Sequence, residues 1–398
     1  MSRWFFDKSF VAFSALIFIS QFSPCGATAE ILPPGFRPLP FGSHVLSGGR
    51  VVVRPGEVLE GGSIVIRDGW IREVGRNVKA PADARTWDLK GTTIYAGFID
   101  PAMSLNSSNS TVSTSETEPI GSGHDSLAAG GGVRFFGAPA VRAEMGSRSP
   151  GYEIARVHPQ IQAVRNFFPN EKSFGAMREE GFTSGAVLPG RGIFRGTSAF
   201  VQFAEANPND LVLKPDLFQH IAFEVRGSDE SAYPGSLMGV IATIRQVFYD
   251  ADHYTADWED YRKNPRLGKR PEFDPSLEAL TPVMQKKMKV IFEPGSVLME
   301  ARAARLGNQL GLEYFILSSG EEWRRPDLIQ ATKAAYIVPL NFPTIPKLPA
   351  ESDWDQVELD TLRAWDWAPE NPAVLQSNGL QFALTTLGLD DKKKFRPN

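Results

Sequence analysis

The chain has 398 residues, 42% of them hydrophobic and 22% charged. These are the proportions of an ordinary folded protein, and they exclude wholesale disorder. Lys and Arg total 42 against 46 Asp and Glu, a net charge of -4, which supplies neither a basic footprint for nucleic acid nor a field to steer an anion. The single cysteine excludes an internal disulfide framework and a zinc site built on thiolates.

The first thirty residues read as an address. Arg3 and Lys8 make a weakly positive start, residues 10–19 are apolar, and Ala27-Thr28-Ala29 forms an A-x-A cleavage site before Glu30. The apolar run is shorter than the roughly 20 residues a membrane span needs. Residues 1–29 are therefore expected to be a cleaved signal peptide, with an uncleaved anchor as the alternative. Cys25 raises a lipid-attachment site, but Phe22-Ser23-Pro24 is a poor context for one. Cleavage after Ala29 removes the only thiol, compatible with a periplasmic or extracellular protein that has no membrane span.

From Val45 to Ile94 the pattern alternates and turns often. Val51-Val52-Val53 leads to a turn at Pro55-Gly56, then Ser63-Ile64-Val65-Ile66, a turn at Asp68-Gly69, and Trp70-Ile71-Arg72-Glu73-Val74. Asp-Gly between two β-branched runs is a strong hairpin signal, and a small antiparallel module is expected over 30–95. Residues 92–100 form a mostly apolar run suited to a strand buried on both faces. Ser, Thr, Asn and Gly then dominate residues 105–150, which reads as an irregular insertion.

Beyond the insertion, helices and strands alternate. Residues 174–180 suit a short helix ended by Gly181, and 185–188 a strand. Leu237, Ile241, Ile244 and Phe248 recur at helical spacing, predicting a helix over 235–250. Lys289-Val290-Ile291-Phe292 reads as a strand, Ser296 as the cap of a helix over 297–310, and Gly311 as its stop. Residues 314–317, 335–338 and 382–386 read as further strands. Repeated units of this length imply parallel strands with helices outside, and no strand is followed by Gly-x-Gly-x-x-Gly, which favours a barrel over an open dinucleotide-binding sheet.

Asp68-Gly69-Trp70-Ile71-Arg72-Glu73-Val74-Gly75, Asp88-Leu89-Lys90-Gly91 and Gly97-Phe98-Ile99-Asp100-Pro101 together resemble the entry to the metal-dependent amidohydrolase superfamily, its imidazolonepropionase-like and dihydroorotase-like members above all. Val290-Ile291-Phe292, Val338-Pro339-Leu340-Asn341-Phe342-Pro343 and Ala383-Leu384-Thr385-Thr386 are similar to later strands of the same group. The resemblance implies an α/β protein: a distorted (β/α)8 TIM-type barrel over 96–398 with a small, composite β-sandwich. It also implies hydrolysis of non-peptide C–N bonds by one or two zinc-type divalent metals, which lower the pKa of bound water to about 7.

The implied ligand positions fail one after another. Where the resemblance places His-x-His, the sequence has Ala102-Met103-Ser104. Glu293 stands in place of the fifth-strand histidine, Ser319 in place of the sixth, and Leu387 in place of the catalytic aspartate. Of these only Glu293 can bind a metal. The histidines His44, His124, His158, His220 and His253 show neither H-x-H nor H-x-x-x-H spacing; His158, in a loop before Pro159, is the best exception. Asp100, Glu293, Glu321 and Glu322 could all lie near the C-terminal rim, either as an all-carboxylate site for a hard cation or as backbone-bonded and helix-starting residues. The candidate pocket is therefore Asp100, His158, Glu293 and Glu321, with no cofactor expected.

Two functions remain open at this point. One is a non-catalytic binding or structural module with a decayed metal site. The other is an active hydrolase with a rearranged single-metal site around Glu293, Asp100 and His158. A sugar- or peptide-binding role for Trp354, Trp365 and Trp367 is a third, weaker reading. The resemblance implies a last helix and closing sandwich strands that are not found before Asn398. Either the sequence is truncated or the sandwich has an open edge, which a partner segment or a second amidohydrolase-like domain is expected to cover.

Overall fold

The computed structural model describes residues 42–104, 152–225, 233–344 and 354–398, apart from positions 77, 155, 267 and 356. The expected leader at 1–29 with Cys25 and the whole of the expected insertion at 105–150 with its His124 lie outside the described residues. Contacts divide the chain into two compact units, Met1–Ala96 and Gly97–Asn398.

In the first unit, β1 (Ser43–Arg54), β2 (Glu57–Arg67) and β3 (Trp70–Gly75) form an antiparallel meander. The β2–β3 turn uses positive φ at both Asp68 (54°) and Gly69 (78°), the conformation that matches the twist of a tight hairpin. The module is not purely antiparallel, as its pattern predicts. β4 (Ala84–Asp88) and β5 (Thr93–Tyr95) both run parallel to β1, end to end along its free edge. After β3 the chain crosses back to that edge and enters it in the direction of β1. Val45, Val51, Ile64 and Val65 are buried, whereas Trp70 and Ile71 on the outer strand are exposed.

The expected single strand over 92–100 is split. β5 ends at Tyr95, and β6 (Phe98–Met103) begins the second unit. Gly97 marks the break, since a Cβ there would lie 2.1 Å from the Thr183 methyl. Phe98 and Ile99 are exposed, and burial starts only at Asp100, so the run is not covered on both faces along its length.

The second unit continues through α1 (Glu171–Glu179), β7 (Phe182–Val187), β8 (Phe194–Thr197), β9 (Ala199–Gln202), α2 (Pro208–Leu211), β10 (Val212–Lys214) and β11 (Gln219–Ala222). Next come α3 (Leu237–Lys263), α4 (Pro275–Met284), β12 (Val290–Glu293), α5 (Val297–Gln309), β13 (Tyr314–Leu317) and α6 (Pro326–Thr332). β14 (Ala335–Pro339), α7 (Leu359–Trp367), α8 (Asn371–Ser377) and β15 (Phe382–Thr385) complete it. One sheet has the order β15-β14-β13-β12-β11-β8, parallel from β15 to β11, with β8 antiparallel to β11. The other has the order β10-β9-β7-β6, with β6 and β7 parallel. The architecture is a mixed α/β unit.

Period-two alternation sorts the strand residues. Ile221, Val290 and Phe292 face α3, α4 and α5, packing on Ile244, Val247, Phe248, Leu280, Ala303 and Leu306. Ile291 points the other way, into a cluster with Leu317, Ile337, Ala102 and Leu387. Each such fully buried aliphatic or aromatic side chain contributes about 1.5–3 kcal/mol.

Helix ends follow local chemistry. Asn170 caps α1 by accepting from the Lys172 and Ser173 N–H groups, which starts that helix before the predicted 174. α3 extends thirteen residues past the expected end at 250, so His253 sits within it, exposed and 3.1 Å from Asp257 one turn on, rather than after it. Ser296 stands at the N-cap of α5, but its hydroxyl makes no capping bond. No helix among the described residues is long and apolar enough to cross a membrane.

Candidate functional site

The carboxyl ends of the parallel strands bring together a charged cluster. Glu293 closes β12, and the parallel register sets it beside Ala222 of β11. His220 lies two residues earlier on β11, on the same face by alternation, and its Nδ1 meets Glu293 Oε1 at 2.9 Å. An ionised carboxylate only accepts, so Nδ1 carries the proton. Arg195 of β8 grips Glu293 Oε2 through Nη1 and reaches Glu224 Oε2 at 3.5 Å through Nη2. Arg156 lies 3.7 Å from the other Glu224 oxygen and donates to the backbone carbonyls of Glu224 and Val225 at 2.6 and 2.9 Å.

The cluster is two guanidinium groups against two carboxylates, with the His220 imidazole bonded to Glu293 from the neighbouring strand of the same sheet. Burial alone would push the Glu293 carboxyl up, but the guanidinium of Arg195 and the His220 hydrogen bond bring it below the usual carboxylate range. His220 is fully buried, and its Nε2 meets no partner among the described residues. This is a neutralised, well-held ion network, and removing one member would leave an uncompensated buried charge.

Asp100 occupies a different environment. Its side chain is fully buried and accepts from the Thr385 and Thr386 hydroxyls, both at 2.6 Å, and from the backbone N–H groups of Ala102 and Thr386 at 3.1 and 3.2 Å. Desolvation raises its pKa, and the four donors oppose that rise. The carboxylate stitches β6 to the end of β15. Lys392 sits nearby, donating to the carbonyls of Thr386 and Leu389 at 3.0 and 2.9 Å.

A third acidic group lies behind β13. The Ser319 N–H is shared by Glu300 Oε1 at 2.8 Å and Glu322 Oε1 at 2.9 Å, and Asn371 donates to the other Glu322 oxygen. Both glutamates are fully buried. Glu322 begins a short 3-10 turn, with its side chain tied into the interior. Burial first, and the neighbouring Glu322 second, push the Glu300 carboxyl well above the ordinary range.

The residues named from sequence are thus distributed over separate surroundings. Ala102 and Leu387 pack in the apolar cluster with Ile291, Leu317 and Ile337. Ser319 serves the Glu300–Glu322 pair, Glu321 lies 3.8 Å from Arg324, and Ser104 follows β6. His158 is half-buried and bonded through its backbone N–H to Phe194, next to Arg195 in the chain. Asp100 and Glu293 each have their own partners. Arg195 and the functional side of His220 escaped the sequence reading. The signal available was the two-residue alternation of Gln219-His220-Ile221-Ala222, which aims His220 at the face where Glu293 ends its strand.

The residues at these strand ends do not fit a catalytic divalent metal. No three His, Cys, Asp or Glu side chains converge among the described residues. A buried apolar wall at Ala102 and Leu387 cannot replace the hydration shell of such an ion.

No family model matches the sequence, and no curated protein matches it either. Solved structures do. An amidohydrolase from Thermotoga maritima MSB8 superposes with a TM-score of 0.61 at 19% identity, covering 88% of this chain and 79% of that one. A second amidohydrolase gives 0.41 at 15% identity over 86% and 78%, and a prolidase complexed with N-methylphosphonate-L-proline gives 0.40 at 13% over 89% and 82%. The Thermotoga protein alone of these three superposes closely enough to define a shared architecture. Over that span this chain shares the fold of the Thermotoga amidohydrolase.

Proposed function

We propose that this chain is a non-catalytic amidohydrolase: an exported, distorted (β/α)8 barrel that keeps the family frame and works as a binding or structural module. Closure of the barrel is supported by the Asp100 bonds that join β15 to β6, and by β8 running directly into β9, the neighbour of β7. The antiparallel β8 is the distortion.

One observation carries the loss of catalysis. The side chains in place of a metal-binding histidine and of the water-activating aspartate, Ala102 and Leu387, are packed into a hydrophobic cluster, while Glu293, the remaining donor, is committed to Arg195 and His220. A barrel interior built this way stabilises by apolar burial and offers no Lewis acid for water activation. The alternative, a rearranged single-metal hydrolase, needs Asp100, His158 and Glu293 around one ion, and the separate partners of Asp100 and Glu293 weigh against it.

Metal analysis of the protein, purified from medium supplemented with zinc, manganese and nickel, tests this reading. The expected result is a content far below one ion per chain. Stoichiometric metal that disappears on Glu293→Ala overturns it.

A further inference from the structure

We propose that the turn after α3, residues 262–273, docks this protein on the phosphate-bearing surface of an anionic lipid bilayer. The inference goes beyond the non-catalytic reading above and does not depend on it.

Three observations carry it. First, positive charge stands here without counter-charge. Residues 262–270 hold Arg262, Lys263, Arg266, Lys269 and Arg270 and no acid, and all these cations are exposed. Lys263 pairs with Asp260 at 3.2 Å. The side chains of the rest make no ion pair or hydrogen bond with a described residue. Cations in the last turn of a helix answer its dipole, but that effect ends with the turn, so it does not account for Arg266, Lys269 and Arg270. Second, Arg262 and Arg270 both lie over the Trp258 indole, each 5.6 Å from the ring centroid. The ring gathers two guanidinium groups around itself and leaves their N–H donors free for phosphate oxygens. Third, Tyr254 is the last buried residue of α3, so residues 255–263 hold the turn away from the core. Phe273, 62% exposed, ends that turn. Cations beside an exposed aromatic ring suit the headgroup layer, where phosphates meet the charges and the ring enters the acyl boundary. Glu272 is the only acid in 262–273. An extended polyanion such as nucleic acid needs a track, and along α3 it would meet Asp252, Asp257, Glu259 and Asp260, all exposed. A plane touches the tip alone.

Flotation of the full chain with vesicles tests this, using phosphatidylcholine alone and an equal mixture of phosphatidylcholine and phosphatidylglycerol. The turn variants are Arg266→Ala/Lys269→Ala, Arg262→Ala/Arg270→Ala and Phe273→Ser. Lys393→Ala/Lys394→Ala, which removes two exposed lysines elsewhere, is the control for net charge. Residues 1–29 are the same in every protein, so differences among them report the substituted positions. Wild type is expected to float far more with the anionic vesicles, and less in high salt. Each cation removed from the turn lowers partitioning about fivefold, about twenty-five-fold for a pair, as for a cation close to an anionic surface. Phe273→Ser also lowers it, and Lys393→Ala/Lys394→Ala binds as wild type. The substituted side chains are exposed, and thermal unfolding checks that each variant is folded. Turn variants that bind as wild type, or an equal loss in Lys393→Ala/Lys394→Ala, overturn the proposal. Binding of a single-stranded oligonucleotide that the turn variants abolish, without vesicle binding, also overturns it and makes the partner a nucleic acid. Neither result bears on the metal content that tests the non-catalytic reading.

Discussion

Glu300 and Glu322 share one backbone N–H in a fully buried space, so a proton on Glu300 converts a repulsive pair into a donor and an acceptor. Because the folded-state pKa of Glu300 lies above its unfolded value, its contribution to stability is complete below the ordinary Glu range. That contribution is lost as pH rises through the folded-state pKa. Glu300→Gln keeps an acceptor for Ser319 and supplies a permanent donor toward Glu322. It is expected to stabilise the protein by about 1–3 kcal/mol at neutral and alkaline pH, with little effect near pH 4. Urea unfolding across pH checks this; equal effects at both ends would remove Glu300 as the titrating group.

At the scale of the element, β8 decides where Arg195 points. Gly196 follows it with φ of 101°, and a Cβ there would lie 2.0 Å from the Ile161 carbonyl oxygen. The segment at 157–162 lies so close because Val157 bridges to Phe194, Gln162 bridges to Thr197, and Thr197 donates to Ile161 at 2.8 Å. Gly196→Ala therefore meets both backbone strain and a collision with a carbonyl. A loss of about 2–5 kcal/mol in urea unfolding is expected. A change within about 0.5 kcal/mol, the range of an uninvolved surface substitution, would show that the strand can shift without cost.

Across the whole molecule, the second unit is organised around two kinds of interior. Helices cover one face of the parallel strands with large aliphatic and aromatic side chains, while Ile291, Leu317, Ile337, Ala102 and Leu387 fill the other. Interior carboxyl groups are met by Arg195 and His220 at Glu293, by four donors at Asp100, and by Asn371 and the shared Ser319 N–H at the Glu300–Glu322 pair. Leu387→Asp, which puts a carboxylate where the family resemblance implies one, places an unpaired charge in an apolar cluster. It is expected to destabilise the fold by about 3–5 kcal/mol and to restore no hydrolysis or metal uptake, read by thermal unfolding and metal analysis. Recovered hydrolysis would mean that the other ligands are present elsewhere.

Read alone, the amino-acid sequence determined the elements and their kind. The Asp68-Gly69 turn, the alternation of β1 to β3, the spacing of Leu237, Ile241, Ile244 and Phe248, and the motif from Gly97 to Pro101 are local patterns, set by backbone geometry and by which side chains avoid water. It also gave Ala102, Ser319 and Leu387 side chains with neither imidazole nor carboxylate, since a residue's chemistry needs no coordinates. Tertiary structure decided what those positions became. Whether β4 runs parallel or antiparallel to β1, whether Glu322 is solvated or buried, and whether Arg195, His220 and Glu293 meet are facts of long-range register. Glu293 and Arg195 are 98 residues apart, and nothing in either neighbourhood announces the other. Periodicity reports the face on which a side chain stands; only the packing of distant strands determines which charge it finds there.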